Sequence, residues 1–599
     1  MAESVDDATQ PGGAAKQRVL DAIERQEIAD LSALPDAERE LTAEFLQGLI
    51  SGTHGTLSRP LRVRGARITG TLRPPVGLHD SRRIAVQFQR CDFESPVDVS
   101  GGEFLVLRIV DCTLPAFIGA SLRVEADLDL SGSQFSGVRD YESELSYVGS
   151  CAIHLNNARI SGKLSLASTA TSRFEAACTV RLDGAHIDGD VSLAGALLDG
   201  RGSAALSARA IDVGNDVNLV TAAGHRFEAR GEVIFAAATI AGDLNCEGAS
   251  LSNPDGRALH CEDLQVESVF LTSSDAPQLP FEAQGRLNFL TAVVGGGFFL
   301  TNARLAPGPD HEGLLRKGGA VAINLQQTRI SNALGLRNIY ALDEAAKMPV
   351  RGWFLLTGMQ VTSILDNTET GWPARGYLDL DGATYLRCQH VEGGDLVAKR
   401  SAWLKRQYPD GKPDAASFRP QPYEELTRVL RNHGQTQEAN AIAVEKIRTR
   451  LEARVDRPGA RFLSTILMLV SKYGYSTRRA IGSFAVFVLL GGVMYASALA
   501  AFQQPFVPVE NPPEPVTYTL ALGLVEIDAE QGCPGLDVMH YALDAALPVI
   551  DLAQDQRCRF TPAGPWRWLW LLLHSAYVII GAALSAVVVL TLTGVLRQD

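Results

Sequence analysis

The chain is poor in cysteine, in net positive charge and in the short signatures of catalysis. Nine cysteines in 599 residues are too few for a fold stapled by disulfides. A net charge of −13 argues against binding nucleic acid along the whole chain. Glycine and proline number 55 and 28, too few for a collagen-like or low-complexity chain. Hydrophobic residues make up 46%, which excludes a disordered chain. A mean hydropathy of +0.04 excludes one that lies wholly within a membrane. The sequence contains no Gly-x4-Gly-Lys-Ser/Thr loop, no Gly-x-Gly-x-x-Gly after a strand, no His-Glu-x-x-His, no Cys-x-x-Cys and no Gly-x-Ser-x-Gly. No catalytic residue, cofactor-binding residue or metal ligand is therefore assigned.

Long apolar runs are concentrated at the C-terminal end. Ile481 to Phe502 is 22 residues without a charge, and Leu569 to Leu596 is 28 with His574 neutral. A bilayer core about 30 Å thick needs about 20 apolar helical residues, so both runs read as transmembrane helices (481–502 and 569–596). Lys472, Arg478 and Arg479 precede the first, and Arg597 follows the second. The loop 503–568 is acidic, with Glu510, Glu514, Glu526, Asp537, Asp544, Asp551 and Asp555 among its residues. The positive-inside rule places both termini in the cytoplasm and this loop outside. Met1 to Gly13 is polar and acidic, unlike a signal peptide, so residues before 480 are expected in the cytoplasm. Trp566 and Trp568 fall where interfacial indoles belong, and Lys472, Arg478 and Arg479 where cations meet headgroups. Cys533 and Cys558 are the two cysteines of the outer loop, and an oxidising exterior lets them pair across 25 positions.

From about residue 60 to 390 the chain repeats. The unit is an apolar residue, three small or polar residues, then apolar, any, apolar. It reads Ile160-Ser-Gly-Lys-Leu164-Ser-Leu166, and copies start at Ile187, Val213, Ile240, Val266 and Val294, 26 to 28 residues apart. Looser copies begin at Ile68, Phe93, Val124, Ile330 and Val361. Apolar-any-apolar is strand alternation, and the Gly/Asn/Asp/Ser triplets are turn chemistry. No helical pattern separates the copies. The expected fold is mainly β: a parallel β-helix solenoid (56–395), whose equivalent residues stack about 4.8 Å apart. Its ends are blunted by an N-terminal helical cap (1–55). That cap is read as helices over Ala15–Ile28 and Asp36–Ile50, with Val19, Leu20, Ile23, Leu41, Phe45 and Leu46 as the covering face. A repeat of about 27 also argues against the four-sided pentapeptide coil of twenty residues, although Ala-x-Ile/Leu-x-Gly at Ala66, Ala158, Ala185 and Ala238 is pentapeptide-like.

Residues 396–479 read as a helical hairpin followed by a basic juxtamembrane segment. One helix opens at Pro422 and stops at Gly434. A second carries Ala439, Ile442, Ile447 and Leu451. The hairpin reads as a bridge between the repeats and the membrane, and Phe462–Val470 as an interfacial piece. Residues 480–599 form the transmembrane hairpin.

Three features carry chemistry. Cys246, His260 and Cys261 offer metal-ligand types, but Cys246 fills an inward slot of the repeat and reads as a buried thiol. Asp188, Asp190, Asp216 and Asp243 recur in the turns, where Asp has its own local role but stacked carboxylates also line carbohydrate or cation grooves. In the outer loop, Tyr541 to Leu552 is amphipathic, so the end of the chain has the layout of a two-span channel subunit without a Thr-Val-Gly-Tyr-Gly filter. Gly492, Ala496 and Ala500, with Gly581 and Ser585, form small-residue stripes that favour helix packing within or between copies.

The repeats, the Tyr423-x-x-Leu426-x4-Arg431-x-x-Gly434 hairpin, Tyr473-Gly-Tyr475 and Leu543-Asp-x-x-Leu547-Pro548 together resemble a group of bacterial membrane-anchored proteins with β-helix or pentapeptide-like repeats, some labelled membrane-associated oxidoreductase. The resemblance implies a bacterial inner-membrane, multi-pass location. No residue here supports redox chemistry. The expected function is a membrane-anchored cytoplasmic scaffold that contacts the lipid bilayer, protein partners and, through the stripes, further copies of itself, but not nucleic acid. The alternatives are an oligomeric two-span channel-like protein with a cytoplasmic sensor domain, and a carbohydrate-acting or redox enzyme.

Overall fold

The computed structural model describes residues 13–595 except 52–59, 74–83, 143–146, 276, 311–312, 314–318, 343–346, 391–393, 415, 454–457, 503–504, 510–513, 521–524, 534 and 548–549. Glu510, Pro548 and Arg597, and most of Met1–Gly13, thus lie outside the described residues. The chain divides into two compact units, Met1–Lys412 with Gln421–His433, and Pro413–Pro420 with Gly434–Asp599.

The first unit is dominated by one 41-stranded sheet whose strands pair almost entirely in parallel. One repeat shows how it is built. Val180–Arg181, His186–Ile187, Val191–Ser192 and Leu197–Asp199 are four short strands joined by turns. Each pairs with its counterpart one repeat later, at Leu206, Asp212, Val217 and Glu228 respectively. The register is the one the sequence repeat implies: Ile160, Ile187, Val213, Ile240, Val266, Val294, Ile330 and Val361 are successive partners in one column. Ile68 and Phe93 pair with each other and continue to a different column, through Asp92 and Thr113. Four strands per repeat restores the four-strand pattern that a length of 27 had argued against, because the surplus residues lie in the turns. From about residue 250 the short strands fuse, giving Ser250–His260, Phe298–Ala306 and Arg329–Ala341.

Alternation decides what each strand buries. Ile160, Leu164 and Leu166 are buried while Ser165 between them is half-buried. Ile187, Val213, Ile240 and Val294 are all at most 2% exposed, and each such side chain contributes roughly 1.5–3 kcal/mol. The corner before this column is turned by a left-handed residue in repeat after repeat: Asn157, Ala210, Ala237, Asp263, Thr291 and Gln327 have φ between 51° and 57°.

Both ends of the sheet are covered. At the N-terminal end, helix Gly13–Arg25 buries Ala15, Val19 and Ala22. The helix expected over 36–50 is shorter. Glu40–Thr42 is instead a strand paired with Arg67–Thr69, and Ala29–Asp30 pairs with Val63–Arg64. The helix proper is Ala43–Ser51. Leu41 and Leu46 are buried as expected, but Leu20 is 39% exposed. At the other end, helix Gln421–Asn432 lies on the last strand, Thr384–His390. This helix, read from sequence as half of a bridge, satisfies the open backbone edge with its side chains. Glu425 accepts the Tyr385 N–H at 2.9 Å, Gln421 accepts the Gly382 N–H at 2.9 Å and donates to the Ala383 carbonyl at 3.0 Å, and Arg428 donates to the Tyr385 carbonyl at 3.2 Å.

The second unit holds helices Thr436–Ala453, Pro458–Ser471, Thr477–Ala501 and Arg567–Leu592. The last two are long and apolar enough to cross a membrane, with mean hydropathies of 2.1 and 2.2. Between them lie strands Phe506–Pro508 and Cys558–Phe560, which pair antiparallel, a hairpin Glu514–Leu520 with Val525–Gly532, and helix Val538–Ala546.

Candidate functional site

The acidic turn row is structural in its geometry. Asp190 accepts the backbone N–H of Asp216 at 3.3 Å, and Asp216 accepts that of Asp243 at 2.8 Å, one repeat further on. Asp127 does the same for Lys163 at 3.1 Å. Each carboxylate thus secures the turn stacked upon it. Asp188 belongs to a different group, with its carboxylate 2.9 Å from His186, whose other ring nitrogen lies 2.8 Å from Asp212.

The Cys246, His260 and Cys261 set does not form a metal site. Both thiols are fully buried, and burial pushes each far above the usual thiol range, which disfavours the thiolate a metal requires. His260 instead lies between Glu232 and Glu262, at 3.3 Å from each. Burial alone would raise the Glu232 carboxyl, but the His260 hydrogen bond and Arg257 outweigh it and hold it below the ordinary value.

Most of the chemistry-bearing arrangement is in the second unit. The two long helices run antiparallel. Phe502 meets Trp570 with ring centroids 5.7 Å apart, and Phe487 stacks on Tyr577 at 4.6 Å. Lys472, Arg478 and Arg479 are exposed together around the start of the first helix. Trp566 and Trp568, 61% and 62% exposed, stand at the start of the second. Because the helices are antiparallel, the cations and the indoles sit at opposite ends of the pair. Cys533 and Cys558 form a disulfide with Cα atoms 5.8 Å apart, which brings the entry and exit of the segment 534–557 together.

Helix Val538–Ala546 packs against both long helices. Asp537 caps its start, accepting the N–H groups of Met539 and His540 at 2.9 and 3.2 Å. Gly492 faces the Met539 sulfur, and a Cβ on Gly581 would stand 2.7 Å from the Ala546 Cα. The Tyr577 hydroxyl donates to the Ala542 carbonyl at 2.9 Å, and the Tyr495 hydroxyl and His574 Nδ1 are 2.8 Å apart. The small-residue stripes at Gly492 and Gly581 are therefore filled by this short helix of the same chain. Asp544, 7% exposed, accepts three backbone N–H groups, from Leu552, Gln554 and Asp555, at 2.7, 2.8 and 3.0 Å. Its carboxylate lies within 4.8 Å of those of Asp551 and Asp555. Desolvation, followed by the charges of Asp544 and Asp551, raises the Asp555 carboxyl. Sequence reasoning missed Asp544 and the seating of this helix. The signal within the sequence was the Asp537 cap, four residues before Tyr541.

No family model, curated protein or solved structure matches the chain.

Proposed function

We propose that the chain is a membrane-anchored scaffold: a parallel β-helix solenoid held at the cytoplasmic face of a bacterial inner membrane by a two-helix anchor. The observation that carries the anchor is the combination of apolarity with exposure. The most apolar windows of the two long helices are only 28% and 22% buried within the chain, whereas the core helix of a soluble protein is mostly covered. Ile481, Val486, Leu489, Leu490 and Val493 on one helix, and Leu572, Ile579, Val589 and Leu592 on the other, are 49–69% exposed. Lipid is the medium that covers such a surface without cost. The cations at one end and the indoles at the other support an orientation with Lys472, Arg478 and Arg479 in the cytoplasm.

Repeats that pair strand for strand along the chain support the solenoid reading. The turn carboxylates accept hydrogen bonds from the next repeat, which supports a structural use and leaves the outward columns as docking surface. The column Arg159, His186, Asp212, Thr239 and Gln265 is polar throughout, with charge of both signs, and suits a protein partner. Alkaline washing of membranes, followed by protease added to sealed right-side-out and inside-out vesicles, tests the anchor. The chain should stay with the lipid, and 13–433 should be cut only in inside-out vesicles. A photo-crosslinker at His186 or Thr239 tests docking. A discrete adduct from that column, absent when the crosslinker is placed at buried Leu193, supports the scaffold, and its absence argues for a different role.

A further inference from the structure

This inference rests on the anchor reading and names the lipid that the anchor takes. Between Pro458 and Ala501 the chain has four basic residues and no acidic one. Helix Pro458–Ser471 meets both long helices, and its junction with Thr477–Ala501 is fixed. Lys472, Tyr473 and Gly474 are left-handed in succession, with φ of 48°, 57° and 86°. Ser471, fully buried, accepts the Gly474 N–H on its hydroxyl at 3.0 Å and the Ser476 N–H on its carbonyl at 3.0 Å. The Ser483 hydroxyl donates to the Val470 carbonyl at 3.3 Å. Ser483 is six residues past Thr477, where the first span begins. At about 1.5 Å per residue, this tie lies roughly 9 Å below that start. An amphipathic helix in a bilayer interface sits about 5–10 Å deep.

Thr465, Ile466, Met468 and Leu469 share one side of this helix, at spacings of three and four, and that side is uncovered. Ile466 and Met468 are 38% and 40% exposed, and Leu469 is 68% exposed. At the junction, Lys472, Arg478 and Arg479 are exposed, and none of them has a carboxylate partner among the described residues. Apolar surface beside unpaired cations, at the level where the span begins, fits a layer of phosphates over acyl chains. A protein partner would have to share that level with the headgroups. We propose that Pro458–Ser471 lies along the inner leaflet with its exposed side among the acyl chains, and that Lys472, Arg478 and Arg479 hold anionic phospholipid by its phosphate. Zwitterionic lipid presents the same phosphate but balances it with its own ammonium, so the three cations favour lipid of net negative charge.

The test uses the full-length chain with Leu469→Cys, carrying a nitrobenzoxadiazole dye, in liposomes of phosphatidylcholine and phosphatidylglycerol. The wild-type chain treated alike corrects for Cys178 and Cys388, the two free cysteines that are not buried. Leu489→Cys, at a side chain 56% exposed within the first span, is the deep reference. A nitroxide near the headgroup should quench the Leu469 dye more than one near the acyl-chain end, and the Leu489 dye should show the reverse. Iodide on both sides of the membrane should quench the Leu469 dye less than the free dye. With the shallow nitroxide carried on phosphatidylglycerol rather than phosphatidylcholine, at the same overall composition, quenching at Leu469 should rise. Arg479→Gln should weaken this preference about fivefold, the factor for one cation at the surface. Lys472→Gln with Arg478→Gln and Arg479→Gln should abolish it, and Arg479→Gln alone decides if the triple variant fails to reconstitute. Equal quenching from the two lipids, or a preference that the variants leave unchanged, overturns the lipid site. A Leu469 dye as open to iodide as the free dye overturns the interfacial seat and leaves that side to a protein. Loss of the chain from the lipid on alkaline washing overturns the anchor reading instead, so the failures are distinguishable.

Discussion

Asp366→Ala should open the C-terminal end of the sheet and little else. Asp366 ends strand Gln360–Asp366 with no exposed surface. Its two oxygens receive both terminal nitrogens of Arg400 at 2.8 and 2.7 Å, and one also accepts the Trp372 indole N–H at 2.6 Å. Arg400 is 1% exposed and belongs to helix Leu396–Leu404, whose start Asp395 caps. Its guanidinium lies 5.3 Å over the Trp403 ring, and Trp403 packs on Trp372 at 5.2 Å. Removing the carboxylate strands a buried cation, a cost of about 3–5 kcal/mol. The orphaned indole N–H adds about 1 kcal/mol, so the local loss is about 4–6 kcal/mol.

Hydrogen exchange on the full chain in detergent reads this loss directly. Since about 1.4 kcal/mol is a factor of ten, amides of 384–390 and 396–404 should exchange about 10³-fold faster or more. Amides of 180–245 should be unaffected, because stacked repeats interact chiefly with their neighbours. Asp366→Leu combined with Arg400→Met removes both charges and should recover most of the protection. A change under tenfold, an effect spread evenly through 180–245, or a double variant no better than Asp366→Ala would refute the reasoning.

Three further outcomes are expected. Ala237→Gly should stabilise by about 0.5–1 kcal/mol, since Ala237 sits at φ 54° and the left-handed penalty of roughly 1–2 kcal/mol exceeds the glycine entropy cost; urea titration followed by far-ultraviolet dichroism measures it. Glu425→Ala should cost about 1–3 kcal/mol by stranding the Tyr385 N–H; the open edge should also associate, seen as concentration-dependent species in size-exclusion chromatography. Melting temperature should fall as pH drops from 7 to 4. Burial, followed by the charge of Arg181, depresses the His154 imidazole, so the unfolded chain takes up this proton near 6.5 while the folded chain resists it, and stability is lost below that pH. Glu232, held below its unfolded value of 4.5, gives stability that is present above 4.5 and lost as pH falls through the lowered value. His154→Gln should flatten the upper part of the profile, and an unchanged profile would count against this assignment.

How much of the molecule the sequence discloses depends on whether a contact repeats. Ile187 faces Val213 and Val213 faces Ile240 because the same local pattern recurs every 26 to 28 residues, and stacking equal lengths leaves one register that keeps every apolar side chain inside. The four strands per repeat were less legible, since two-residue strands carry too little alternation to be told from turns. Leu41 shows the ambiguity at its sharpest. Buried by either structure, it fits a helix over 36–50 by spacing, yet Glu40–Thr42 is a strand because the exposed edge at Arg67–Thr69 offers hydrogen bonds that only tertiary structure supplies. Arg400 lies beyond the repeats, 34 residues from Asp366, so their pairing leaves no mark on the sequence. The candidate site falls between these cases. Two apolar runs and an amphipathic stretch around Tyr541 were readable, but Gly492 and Gly581 carry the same small-residue signal whether the neighbour is another long helix or a short one. Only the chain path decides between them, and that path seats Val538–Ala546 against both long helices.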